Sequence, residues 1–225
     1  GGRSGAITQR ARAAQFHAAR AFTGKLGAPL LAIPGNRDIP LFNLWARWRH
    51  PYAGHCAAFG ADLEPVFRSA DLLVIGVNTT RAYRHKNGEV SPAQIDRVAS
   101  LLEGATAAQL RVVVVHQPIA VLRAQDAHDL LRGHAPAQQA WARAGADVVM
   151  GGHIHLPYIL PLPGLARAMW AVQAGTALSS RVRAGAPNSV NLLRWQPSER
   201  TCQVEQWDFA ADAGVFACAK VTTLL

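Results

Sequence analysis

Three short segments carry side chains able to bind a metal. They are Gly35-Asn36-Arg37-Asp38, His116-Gln117-Pro118 and Gly152-His153-Ile154-His155. Imidazole nitrogens combined with an amide or carboxylate oxygen suit manganese, iron or zinc. A His-x-His spacing puts two imidazoles within reach of two neighbouring ions. Each segment has a plainer reading when taken alone. A histidine after a strand is commonly a satisfied polar cap, and Gly-Asn-x-Asp is commonly a turn. All three follow an apolar run, however: Leu30–Ile33, Arg111–Val115 and Asp147–Met150. Ligands of α/β sheets gather outside the carboxyl ends of the strands, so the three segments are expected to converge.

The elements that must position them alternate between apolar runs and helical stretches, which predicts an α/β organisation. Ala11 to Leu26 reads as a helix with Phe16, Ala19, Thr23 and Leu26 on its apolar side, stopped by Gly27. Residues 29–33 and Asp71 to Val77 read as strands. Ser91-Pro92-Ala93-Gln94 opens a helix with a capping serine, and Ile95, Val98, Leu101 and Leu102 form its apolar stripe. Arg111 to Val115 is a buried strand of β-branched residues. Gln138 to Ala144 reads as a helix and Asp147 to Met150 as a strand. Trp170 to Ala174, Val190 to Trp195 and Gln203 to Phe209 follow with no helix between them, so the last third is expected to be antiparallel. No linker or internal repeat divides residues 1–225, which predicts a single domain.

Composition narrows the classes. The chain has 225 residues, half of them hydrophobic and only 16% charged, which excludes a disordered tail, a collagen repeat and a coiled coil. No apolar run reaches the roughly 18 residues of a membrane span. Three scattered cysteines, Cys56, Cys202 and Cys218, make no disulfide framework, and a cytoplasmic location is expected. The net charge of +9 suits a phosphate-rich partner, yet nearly all the basic residues are scattered arginines, so nucleic acid is an unlikely ligand. The oligomeric state is not legible.

The order Gly-Asn-x-Asp, strand-His, Gly-His-x-His resembles the calcineurin-like metallophosphoesterase superfamily, in particular its bacterial cyclic-nucleotide-phosphodiesterase-like group. Ser4-Gly5-Ala6-Ile7-Thr8 resembles the family's Gly-Asp block. Val77-Asn78-Thr79-Thr80, Gly88-Glu89-Val90-Ser91 and residues 174–179 are similar to further family segments. The resemblance implies two mixed sheets packed as a sandwich and flanked by helices, here lacking the first strand. It implies two divalent ions (manganese, iron or zinc), with Asn36, His116 and His153 on one and His155 on the other. A hydroxide between the ions would attack phosphorus in line. Arg37 stands where the family has its acid or orienting histidine, and Asp38, the aspartate of the same block, is the other expected catalytic residue.

Three departures qualify this. There is no strand ending in Asp-x-His, Ala6 stands where a bridging aspartate belongs, and Arg37 replaces a histidine. The ligands that remain suffice for one ion at most, held weakly, and the chain is expected to be N-terminally incomplete, starting at Gly1 rather than Met. Arg37 cannot act as an acid near neutral pH; it either clamps a phosphate oxygen or pairs with Asp38 at the surface. The expected function is hydrolysis of a small phosphate ester. The alternative is a degenerate scaffold that binds a metal or a partner without turnover. His50, His55 and His85 fall in segments that the resemblance makes substrate-facing. Leu41 to Trp48, at near-helical spacing, is expected to be packing. His17, His128 and His134 are expected at the surface, and Arg181 and Arg183 in solvent.

Overall fold

The computed structural model describes residues 2–3, 8 and 10–225. The Ser4–Ile7 part of the Gly-Asp-like block, with Ala6, lies outside the described residues. Strands β3 (Val66–Arg68), β4 (Leu72–Gly76), β5 (Leu110–Val114), β6 (Val148–Gly151), β7 (Tyr158–Pro161) and β8 (Trp170–Gln173) form a sheet of order β3-β4-β5-β6-β8-β7. β4, β5, β6 and β8 run parallel, and β3 and β7 are antiparallel edges. A second sheet, β11-β10-β9, is antiparallel: β9 (Ser189–Gln196), β10 (Thr201–Ala210) and β11 (Val215–Thr223). Two short strands, β1 (Gly2–Arg3) and β2 (Leu31–Ala32), pair in parallel, so a two-residue strand does stand beside the strand that leads to Asn36.

Period-two alternation separates two cores. Leu73, Ile75, Val113, Val115, Val149 and Ala171 turn to one side of the large sheet. They pack with Ile95, Val98 and Leu102 of α4 (Pro92–Glu103) and with Trp141 of α5 (His134–Ala144). Leu110, Val112, Val114, Val148 and Val172 turn to the other side and meet Cys202 and Val204 of β10, together with Leu31 and Ile33. The expected α/β sandwich of two sheets with flanking helices is therefore the observed class, with the smaller sheet wholly antiparallel. The α4 cap is as read: the Gln94 N–H donates to the Ser91 hydroxyl (3.2 Å) and the Ser91 N–H to Gln94 Oε1 (3.0 Å).

Several expectations need correction. Trp170–Gln173 is not purely antiparallel. β7 runs out to the edge and β8 returns between it and β6, which makes β8 parallel to β6. Leu26 is half exposed because α1 (Ala13–Gly24) ends before it. Leu41 to Trp48 is not packing: Leu44, Trp45 and Trp48 of α2 (Leu44–Arg49) point outward. The buried residue of α2 is Arg47, whose guanidinium donates to the carbonyls of Ala82, Pro40 and Arg84. His55, in α3 (Ala53–Phe59), is fully buried rather than facing a substrate. Arg183 is ion-paired to the buried Asp126 at 2.7 Å.

Candidate metal centre

Backbone bonds past the strand ends bring the segments together. The Val115 N–H donates to the Met150 carbonyl and the Gly152 N–H to the His116 carbonyl, both at 2.9 Å, which extends the β5–β6 ladder beyond its last strand residues. The His116 N–H donates to Thr79 Oγ1 at 3.2 Å, and the Thr79 hydroxyl donates to Gln117 Oε1 at 2.6 Å. This ties the end of β5 to the segment after β4. Gly88 packs closely here: a Cβ on it would sit 2.0 Å from Gln117 Oε1 and displace that amide.

Asn36 lies in a 3-10 turn, Asn36–Asp38, just after β2. The turn is closed by Asp38, whose carboxylate accepts the Gly35 N–H (2.8 Å) and the Thr8 N–H (2.7 Å) and is itself buried. The Asn36 amide donates to the His85 carbonyl at 2.9 Å, which turns its Oδ1 toward His116 Nε2, also 2.9 Å away. His153 brings Nδ1 to 3.2 Å from the same His116 nitrogen. Its backbone and that of His155 sit in the left-handed region, with φ of 73° and 55°. Non-glycine residues there cost about 1–3 kcal/mol each, a strain found where a site dictates the backbone.

Asp129 Oδ1 lies 3.4 Å from His153 Nε2 and 2.9 Å from the Lys86 ammonium. A carboxylate only accepts, so this contact favours the His153 tautomer with the proton on Nε2, in which Nδ1 is an acceptor facing His116. Burial pushes the His153 pKa down to about 4, opposed by the adjacent Asp129 charge and assisted by Lys86 and His155. Complete burial, with the neighbouring His153, His155 and Arg37, drives His116 well below the usual imidazole range. Both rings are thus neutral near pH 7, the form that binds metals.

Among the described residues His116 has no good tautomer. With its proton on Nε2 it donates into the cluster, and Nδ1 is left as a buried acceptor without a partner. With the proton on Nδ1, that N–H is orphaned and three lone pairs, from Asn36 Oδ1, His116 Nε2 and His153 Nδ1, face one another. A cation at their convergence removes that repulsion. Metal–nitrogen bonds of about 2.0–2.1 Å place adjacent donors about 2.9–3.4 Å apart in octahedral or tetrahedral shells. The two observed distances from His116 Nε2, 2.9 and 3.2 Å, fall in that range. The residues present therefore fit one ion. Among the described residues no group of three or more His, Cys, Asp or Glu is placed to hold a metal. The set has an amide as its third donor, and the Asp129 carboxylate contacts His153 through the other ring nitrogen, Nε2.

The other candidates lie around this set. The His155 Nδ1–H donates to the Arg181 carbonyl at 2.7 Å, leaving Nε2 as its acceptor. Arg37 is partly buried, and its pKa is lowered by that burial and then by Arg181. Among the described residues it has no carboxylate partner, so the expected pairing with Asp38 is replaced by Asp38 closing its own turn. Asp129, Lys86 and Thr79 were not singled out from the sequence as parts of the centre. Asp129 ends a 3-10 turn, Ala124–Asp129, inside a polar stretch with no spacing signal to mark it.

The chain matches no family model and no curated protein sequence. Its fold is similar to that of solved structures. GAP50, the anchor in the inner membrane complex of Plasmodium, aligns over 89% of this chain and 67% of its own, with a TM-score of 0.50 and 12% identity. Vps29 from Entamoeba histolytica, as its D62A mutant, aligns over 68% and 99% respectively, with a TM-score of 0.31 and 15% identity. A Staphylococcus aureus protein described as a 5′-nucleotidase, in complex with alpha-ketoglutarate, aligns over 72% and 29%, with a TM-score of 0.33 and 13% identity. At these identities the likeness concerns the fold alone.

Proposed function

We propose that the chain is a metal-dependent phosphoesterase of the calcineurin-like type, acting on a small phosphate ester. The observation that carries this reading is the clustering of three neutral donors, with Asn36 Oδ1 and His153 Nδ1 2.9 and 3.2 Å from His116 Nε2. When bound, a divalent ion (manganese, iron or zinc) supplies Lewis-acid polarisation of a phosphoryl oxygen and acidifies water. Asn36, His116 and His153 hold the ion, and His155 Nε2 is the donor nearest to a second position. Asp129 keeps His153 in the ligating tautomer. Arg37, a guanidinium without a carboxylate partner, binds phosphate oxygens in fork geometry. Asp38 is a positioning residue, since its carboxylate holds the backbone turn that presents Asn36. Three free cysteines fit a reducing, cytoplasmic setting, and the whole chain is read as one such unit.

One observation favours a second reading, a scaffold that binds a metal without turnover: the donor set is neutral and contains no carboxylate. The experiment is hydrolysis of bis(p-nitrophenyl) phosphate with added manganese, run beside calorimetric titration of manganese. Hydrolysis and binding that are both lost in His153→Ala support the enzyme. Binding without hydrolysis supports the scaffold. Absence of binding overturns both.

A further inference from the structure

The exposed apolar side chains are concentrated next to the positive charge. Residues 10–60 contain seven Arg and Lys and a single acid, Asp38, so this quarter holds a net six of the chain's nine positive charges. Asp38 is buried against backbone N–H groups. Arg10, Arg12, Arg20 and Lys25, on and beside α1, and Arg49, at the end of α2, are exposed. In the same quarter Phe42 is 83% exposed, Trp48 75% and Trp45 67%, with Leu44 and Leu41 beside them. Soluble surfaces seldom gather large apolar side chains in this way unless the patch meets a partner.

The patch is held rigidly. Arg47 anchors α2 inward through three backbone carbonyls, and the Asn43 side chain accepts the Ala46 N–H at the helix start. Trp45 packs edge-on against His50, and the Arg49 guanidinium lies 5.9 Å from the centre of the Trp48 ring. The result is an apolar wedge with a cation at its base. α3 follows α2 directly and packs on α1, where Phe16 lies over Gly54, so the α1 cations belong to the same part of the fold.

The chemistry separates the candidate occupants. A second copy of this chain would bring a like-charged face against this one. Nucleic acid would use the rings and the cations but gives Leu41 and Leu44 nothing to stack on. An anionic bilayer uses all three features. Aliphatic and phenyl groups enter the acyl boundary, tryptophans sit at the headgroup level, and arginines meet the lipid phosphates. Among the described residues no helix is long and apolar enough to cross a membrane, so contact at this face is peripheral.

We propose that the α2 corner, with Phe42, Leu44, Trp45 and Trp48 as its wedge, Arg49 beside Trp48 and the α1 cations on the helix packed against α3, docks on an anionic lipid bilayer. This does not rest on the phosphoesterase reading. The test is co-sedimentation of the full chain with phosphatidylcholine vesicles and with mixed phosphatidylcholine–phosphatidylserine vesicles, together with tryptophan emission. Binding is expected to the mixed vesicles only, with a blue shift and with weakening as salt rises. Trp45→Ala/Trp48→Ala should weaken it about tenfold or more at an unchanged thermal midpoint. Phe42→Ala, at a nearly fully exposed side chain, should weaken it in the same direction. Several results would overturn the proposal. One is no binding to the mixed vesicles, and another is binding unchanged in both variants. A third is retention of a single-stranded oligonucleotide, but not vesicles, that is lost in the tryptophan variant. A fourth is concentration-dependent self-association that the same variant abolishes.

Discussion

At the scale of single residues, the centre depends on which nitrogen carries a proton. In the proposed centre His153 would ligate through Nδ1, since Asp129 Oδ1 lies 3.4 Å from its Nε2. Asp129→Ala should therefore lower manganese affinity about 10–100-fold in calorimetry, while Asp129→Asn, which still accepts that proton, should retain more of it. If Arg37 binds the phosphate oxygens as proposed, Arg37→Ala should raise KM for an anionic ester more than it lowers kcat. His55 has a different consequence. Burial pushes its pKa down to about 4, and among the described residues neither ring nitrogen has a hydrogen-bond partner. The unfolded chain takes up this proton first, so the contribution of neutral His55 is complete above its ordinary pKa of about 6.5. It is lost progressively as pH falls from there toward 4. His55→Leu should flatten that acid limb, as read from urea midpoints at about pH 7 and about pH 5.

At the scale of elements, short turns carry more responsibility than their length suggests. Asp38 closes the Asn36–Asp38 turn and also holds Thr8, two charge-assisted bonds from backbone N–H groups. Asp38→Ala should lower unfolding stability by about 2–3 kcal/mol and weaken metal binding through the displaced Asn36, whereas Asp38→Asn should recover part of both. The α4 cap was readable because Ser91 and Gln94 are three residues apart and act on each other's backbone. The inward side of α2 was not readable. Its apolar spacing looked like packing, but Arg47 found three carbonyls to satisfy it, and the apolar side chains were left outside. Local periodicity cannot anticipate which face of a short helix a tertiary hydrogen-bond set will choose.

At the scale of the molecule, stability rests on two cores, one on each side of the large sheet. Trp141, fully buried beneath α4 and donating to the Ile95 carbonyl at 3.2 Å, joins both helices to the sheet. Trp141→Ala should cost about 3–5 kcal/mol, seen as a fall of about 10 °C or more in the thermal midpoint. The apolar runs ending at Asn36, His116 and His153 were legible in the sequence, because strand alternation and the turn residues that stop it are local properties. The chemistry proposed rests on the same local residues, since imidazole and amide donors restrict what can be bound. The pairing of Asp129 with His153 and of Asp38 with Thr8, the freeing of Arg37 from Asp38 and the outward turn of the α2 aromatics were decided only by the tertiary structure. Each depends on a contact between residues far apart in the chain or on competition for buried hydrogen-bond partners, and neither leaves a periodic trace in the order of residues.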